Sequence, residues 1–246
     1  MSNSTEYSPL VDADDDDIAT ASRQTSIYVY EAPVRLWHWL NALAILVLCI
    51  TGYLIGSPPP TMIISEAAYQ FVFGYIRFAH FAAALMLTVF FLGRIYWAFV
   101  GNHHSRQLFY IPFWKGEFWR EVWHEVRWYG FMESEPKKYV GHNPLAQLAM
   151  FLFFTLGITF MIVTGLALYA EGAGRGSFYD ILFGWVTPLL GGNSHVLHTL
   201  HHLGMWWIIV FVMIHIYVAI REDIMSRQSI VSTMISGTRS FKDDRP

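Results

Sequence analysis

Four stretches of this chain are long and apolar enough to decide its fold class: residues 36–55, 78–100, 145–170 and 197–220. A helix that crosses the hydrocarbon core of a bilayer needs roughly 20 such residues. Backbone groups in lipid must bond within their own segment, which leaves helices or closed barrels. The four stretches show no apolar–polar alternation of barrel strands, so they are expected to be helices. The predicted fold is an all-α, four-helix transmembrane bundle. Composition agrees, since 54% of the residues are hydrophobic, 17% aromatic and only 14% charged, a profile of membrane rather than soluble proteins. The net charge of −3 makes nucleic acid an unlikely partner. The lone cysteine, Cys49, excludes an intramolecular disulfide, a cysteine-ligated iron–sulfur cluster and a C-x-x-C-H haem attachment site.

Three regions follow. Residues 1–27 are polar and carry the acidic run DADDDD at 12–17. They lack a basic start and an apolar core, so they read as a disordered tail and not a signal peptide. Residues 28–225 form the four-span domain, and residues 226–246 a C-terminal tail. Lysine and arginine set the orientation. The first tail, the end of the second span with the loop after it, and the last tail hold 14 of the 16 basic residues. Only Arg77 and Arg175 lie in the other two connections. Both termini are therefore expected to be cytoplasmic.

The inside loop contains WKGEFWREVWHEVRW, residues 114–128. At about 100° per residue, Trp114, Phe118, Trp119, Val122, Trp123 and Val126 share one half of a helix. Arg120, Glu121, His124, Glu125 and Arg127 share the other. This predicts an amphipathic helix lying in the membrane interface among lipids, with Trp119 and Trp123 facing lipid. The Gly-rich, aromatic connection 171–194 is read as a cap over the bundle or a surface for a partner.

The stretch HTLHHLGMWWIIVFVMIH, residues 198–215, raises the functional question. A histidine inside a bilayer is costly and usually functional. His103, His104, His124, His142 and His195 lie in loops or at span edges, where backbone or headgroups satisfy them. His201 and His215 are 14 residues apart, nearly four turns, so they point the same way about 21 Å apart along the axis. His202 lies roughly 140° and His198 roughly 100° off that face. Span direction then assigns depth. His80 starts the second span outside, level with His201. His38 starts the first span inside, level with His215. Two imidazoles facing across a bundle are what a low-spin haem needs as axial ligands.

A porphyrin edge also needs neighbouring helices without side chains. Gly52 lies 14 residues after His38, Gly93 lies 13 after His80, and Gly204 is one turn from His201. Small residues also simply pack transmembrane helices, so each glycine has two readings. Arg94, at the inner depth, either pairs with a haem propionate or snorkels to the interface. Two stacked haem b groups with both axial positions filled would form an electron wire with no open site for oxygen. A proton pathway is disfavoured because no Asp or Glu lies inside the spans. A zinc or copper site would need its ligands at one depth.

Several stretches together resemble the b-type cytochrome subunit of membrane-bound nickel–iron hydrogenases. They are YEAPVRLWHWLN (30–41), YIRFAHF (75–81), RIYWAFVGN (94–102), GHNPLAQLAMF (141–151), GGNSHVLHTLHHLGMW (191–206) and HIYVAIREDIMS (215–226). More distantly the chain is similar to the cytochrome subunit of formate dehydrogenase. The resemblance implies a membrane anchor for a periplasmic pair of hydrogenase subunits. Hydrogen is oxidised in the large nickel–iron subunit, and iron–sulfur clusters of the small subunit pass electrons to the outer haem. The inner haem then reduces a membrane quinone. The chain is thus expected to be an electron-transfer subunit, with the hydrogen chemistry in its partners. The family's ligand histidines fall on His38, His80, His201 and His215. By similarity to the formate dehydrogenase relative, Asn143 and Gln147 would lie at the quinone pocket, although an Asn-Pro helix cap followed by an exposed Gln reads equally well. Two other expectations remain open: a cytochrome subunit of another periplasmic dehydrogenase, and an anchor that needs no haem.

Overall fold

The computed structural model describes residues 25–60 and 71–241; residues 1–24, most of the expected N-terminal tail, lie outside them. Four helical spans are present, at Ala32–Gly56, Val72–Val100, Pro144–Ala173 and Ser194–Met225. Each contains the stretch expected from sequence and extends beyond it. The first helix, α1 (Ala32–Gly56), starts on Pro33, whose fixed φ suits a first turn. The second, α2 (Val72–Val100), stops at Gly101. The helix α3 (Gly116–Tyr129) follows in the connecting loop.

The third span is composite. A short α4 (Pro144–Ala149) is capped by Asn143, runs into a π-helical stretch at Met150–Thr155, and continues as α5 (Leu156–Ala173). Gly174, at φ 89°, ends it in a backbone conformation that disfavours any side chain. Two short helices, α6 (Phe178–Phe183) and α7 (Val186–Leu189), bridge to α8 (Ser194–Met225). The chain closes with α9 (Ile230–Ser236).

The spans form a ring in which α1 packs on α2 and α8, and α5 on α8 and α2. Ala44, Leu87, Phe91, Phe154, Ile158 and Ile208 meet in the centre. Large apolar side chains such as Leu43, Leu46, Val89, Leu92 and Phe99 point outward, each more than half exposed. An apolar exterior of this extent needs lipid as its solvent. This is a multi-pass membrane protein.

Strand β1 (Thr25–Tyr28) pairs antiparallel with β2 (Thr238–Phe241), Thr25 opposite Phe241. The two ends of the domain therefore meet at one end of the bundle, called here the terminal end. Helix α3 lies at that end and corrects one detail of the wheel. Its buried stripe is Phe118, Val122, Glu125 and Trp128, and Glu125 is only 1% exposed. The helix docks by the edge of its apolar half, where Glu125 sits between Trp114 and Phe118 in projection. Phe118 and Val122 pack on Leu145, Leu148 and Phe151, while Trp119 and Trp123 stay exposed. The apolar half is thus divided between protein and surroundings.

Candidate functional site

At the terminal end, the start of α1 and the end of α8 bring His38 and His215 together. Their ring centres are 6.3 Å apart, with planes tilted by 53°. Two imidazoles bound through nitrogen to one metal at ~2.0 Å would place their ring centres about 6 Å apart. The observed spacing therefore fits two imidazoles that would bind one metal from opposite sides of the gap. Phe211, one turn before His215, stacks on its ring at 18° and 5.8 Å, and Trp39 meets His38 edge-on.

Beside this pair Arg94 is 5% exposed and lies over the rings of Trp37 and Phe109, at 5.4 and 5.5 Å. Its Nε and Nη1 are buried without a hydrogen-bond partner among the described residues. A buried guanidinium with unanswered donors is costly unless an anion meets it. The burial rules out the snorkelling alternative. His142 receives or donates a 3.1 Å bond with the Tyr30 hydroxyl, and burial, aided by the Arg239 charge, pushes it down to about 3. It is a neutral, part-buried histidine at the edge of the third span, met by a tyrosine side chain where backbone or headgroups were expected.

At the far end the two remaining histidines are held in matching ways. Thr51 of α1 donates its hydroxyl proton to the Val47 carbonyl at 2.6 Å, and its oxygen is 2.9 Å from His80 Nδ1. Thr164 of α5 donates to the Phe160 carbonyl at 2.7 Å, and its oxygen is 2.8 Å from His201 Nδ1. A hydroxyl has one proton. With that proton on the backbone, each imidazole Nδ1 must be the donor, so each Nε2 keeps its lone pair for a ligand. The next residue in each case is glycine. A Cβ on Gly52 would lie 3.3 Å from His80 Cε1 and 3.4 Å from Met205 Sδ, and one on Gly165 would lie 3.1 Å from His201 Cε1. Each ring thus rests its Nδ1–Cε1 edge on a Thr-Gly pair of a neighbouring helix.

The other positions sort clearly. His202 lies against Gly56 and receives Trp206 Nε1 at 3.3 Å, while His195 and His198 are exposed. Gly204 lies against Met161 and Phe160 on α5, and Gly93 is exposed with open space around it; neither touches a histidine. Asn143 accepts the Ala146 amide as a helix cap, and its Nδ2 is 3.4 Å from the Tyr129 hydroxyl. Gln147 is buried and donates to the Tyr110 carbonyl at 2.5 Å. Among the described residues no three His, Cys, Asp or Glu side chains gather as a metal cage.

Thr51, Thr164 and Gly165 escaped the reading of the sequence. The signal was present as a repeated Thr-Gly at the same depth of the first and third spans, ITGY and VTGL. Glu125 escaped as well. Its carboxyl is pushed up by burial and by the Glu222 charge, with His124 Nδ1 3.5 Å away.

One facing pair of imidazoles beside a buried arginine, and two further imidazoles held by Thr-Gly pairs at the other end, leave donors free for a metal macrocycle with acidic edges. Comparison with known proteins points the same way. The model of the family described as prokaryotic cytochrome b561 matches residues 29–237. A Rhodobacter capsulatus protein named "Probable Ni/Fe-hydrogenase B-type cytochrome subunit" is 65% identical over 95% of this chain and 89% of its own length. A protein of the same name from Cupriavidus necator is 56% identical over 99% of this chain and all of its own. "Probable Ni/Fe-hydrogenase 1 B-type cytochrome subunit" of Escherichia coli K12 is 51% identical over 88% of this chain and 92% of its own.

Proposed function

The chain belongs to the prokaryotic cytochrome b561 family, and on that footing we propose that it is the dihaem membrane subunit of a periplasmic nickel–iron hydrogenase. Its task in this reading is to pass electrons from hydrogen oxidation to the membrane quinone pool. The relatives' names support nickel–iron hydrogenase partners, which in this reading are a small iron–sulfur and a large nickel–iron subunit. The observation that carries the dihaem part is the arrangement of His38, His215, His80 and His201 as two pairs at opposite ends of the bundle. The far end is the outer, periplasmic one. The pairing of β1 with β2 puts both ends of the domain at the terminal end, and the basic asymmetry favours the cytoplasmic side for it.

His80 and His201 hold the outer haem b through Nε2, and His38 and His215 hold the inner one. Arg94 offers its unpartnered donors to a propionate. When bound, the two groups supply one-electron carriage across the membrane. The chain's own residues hold the ligands in one tautomer, keep water out with aromatic packing, and fix the spacing of the two sites. Asn143 and Gln147 mark the quinone side, supported by their place at the inner end beside the π-helical stretch of the third span.

Pyridine-haemochrome analysis of the purified chain is expected to give two haems. In membranes containing the hydrogenase, His80→Ala should keep the inner haem but stop its reduction by hydrogen. His38→Ala should let hydrogen reduce the outer haem while quinone reduction ceases. Normal quinone reduction in the His38→Ala membranes would defeat the direction or the pairing. A haem-free chain that still holds the hydrogenase at the membrane would make it an anchor alone.

A further inference from the structure

We propose that the dipeptides Thr51-Gly52 and Thr164-Gly165 are positioning elements that hold the outer haem's two imidazoles in one tautomer and lower that haem's midpoint potential. The inference rests on the dihaem reading above and adds to it what distinguishes the two sites.

The argument starts from the hydroxyl proton. A threonine within a helix readily back-bonds to the carbonyl four residues earlier, and both Thr51 and Thr164 do so, at 2.6 and 2.7 Å. That bond removes the choice of direction from the second contact. The oxygen can only accept, and the histidine Nδ1–H can only donate, at 2.9 Å for His80 and 2.8 Å for His201. The back-bond also polarises the hydroxyl oxygen, which makes it a better acceptor. The glycine acts on the neighbouring ring atom. A Cβ there would come to 3.3 Å from Cε1 of His80 or 3.1 Å from Cε1 of His201, closer than most carbon contacts allow. Only glycine lets the ring edge lie against the helix where the hydroxyl can reach it.

Donation from Nδ1 raises the basicity of Nε2 and so strengthens its bond to the higher oxidation state of a metal. Two such donations on one iron favour the ferric form and lower the potential. The inner pair differs. Among the described residues His38 Nδ1 is buried without a hydrogen-bond partner, and the rings of Trp39 and Phe211 pack on His38 and His215. The outer site therefore carries a stabilisation of its oxidised state that His38 does not supply at the inner one. An electron entering outside would be favoured to move inward.

The test is a potentiometric titration of the purified full chain, followed by optical and low-temperature EPR spectra, for Thr51→Val, Thr164→Val, Thr51→Ser and Thr164→Ser. The outer haem is identified as the one lost in His80→Ala. The valine variants are expected to shift the outer midpoint upward and leave the inner one in place. The serine variants should keep the wild-type value, because they retain the hydroxyl. Loss of the outer haem in the valine variants with retention in the serine ones would also support the assignment. An unmoved outer midpoint in both valine variants, an equal shift of both haems, or haem loss in serine and valine variants alike would overturn it. A wild-type chain with fewer than two haems would instead defeat the dihaem reading, and that measurement is made first.

Discussion

Arg94 gives the sharpest quantitative test of the inner site, because removing it should act in opposite directions with and without haem. The guanidinium is 5% exposed, and two of its nitrogens meet no acceptor. In the haem-free chain it offers little beyond its contacts with Trp37 and Phe109, which contribute about 0.5–2 kcal/mol in all. Against them stands the desolvation of an unpaired charge, several kcal/mol even after relaxation. Methionine has a similar reach and no charge. Arg94→Met is therefore expected to leave the haem-free chain as stable as before or more so.

Haem binding should respond the other way. Hydrogen bonds that involve a charged group contribute about 1.5–3 kcal/mol, and the cost of burying the arginine is already carried by the fold. A loss of about 2–3 kcal/mol corresponds to roughly 30- to 150-fold weaker binding. The assay is transfer of haem from the purified chain to excess apomyoglobin, in a His80→Ala background that keeps only the inner haem. Thermal unfolding of the haem-depleted chain in the same detergent gives the second readout. Unchanged inner-haem affinity would refute the propionate contact. A haem-free variant destabilised by more than about 2 kcal/mol would refute the view that the guanidinium lacks a partner in the protein.

Three further outcomes follow from residues at the terminal end. His142 is held neutral at a value near 3 against an ordinary 6.5. Its contribution is therefore complete above pH 6.5 and lost as pH falls toward 3, about 2 kcal/mol by pH 5; His142→Asn should flatten the acid limb of thermal stability, and an unchanged limb would contradict the burial. Glu125, pushed up by burial, contributes most below the ordinary carboxylate range and loses that contribution as pH rises. Glu125→Gln should accordingly gain stability over the parent at pH 8 relative to pH 5, and a loss at pH 8 would speak against it. Trp119 and Trp123 should be quenched by bromine-labelled lipid when each is the sole tryptophan added back to α3, whereas Trp128, 5% exposed, should not; equal quenching of the three would mean that α3 is docked differently.

The spans were legible because each is a long apolar run, and nothing in a bilayer competes with a helix for such a run. The meeting of His38 with His215 was legible for a related reason. Once four spans and their directions are known, depth is fixed by counting residues, and rotation by the 14-residue spacing of His201 and His215. What could not be read depends on how one helix is rolled against another. Glu125 lies at the border of the helical wheel, and a small roll of α3 carries it from the surface to the interior. Thr51 and Thr164 look like ordinary back-bonded threonines until a second helix brings a histidine to them. The pairing of β1 with β2 involves four residues on each side, too few for an alternating pattern to announce a strand.

That short pairing explains why the terminal end can bury so much charge. The Gly237 carbonyl accepts the amides of Val29 and Tyr30, and Trp39 Nε1 donates to the Met234 carbonyl at 3.0 Å. Arg239 of β2 donates to the carbonyls of Tyr139 and Gly141 at 2.9 and 2.7 Å. Glu31 accepts from Trp97 Nε1, the Asn102 amide and the Ser105 hydroxyl through one carboxylate oxygen, at 2.9–3.3 Å. These bonds tie the start of α1, the loop after α2, the approach to α4 and the end of the chain to one another. Held in this way, the terminal end can bury Arg94 and shelter His142 near His38 and His215. Among the described residues the far end has no comparable set of buried charges around His80 and His201; its precision comes from two threonine hydroxyls and two glycines. The sites at the two ends of the bundle thus differ in their surroundings for reasons that begin in the chain: acceptors on one imidazole nitrogen at one end, and unanswered cationic donors at the other.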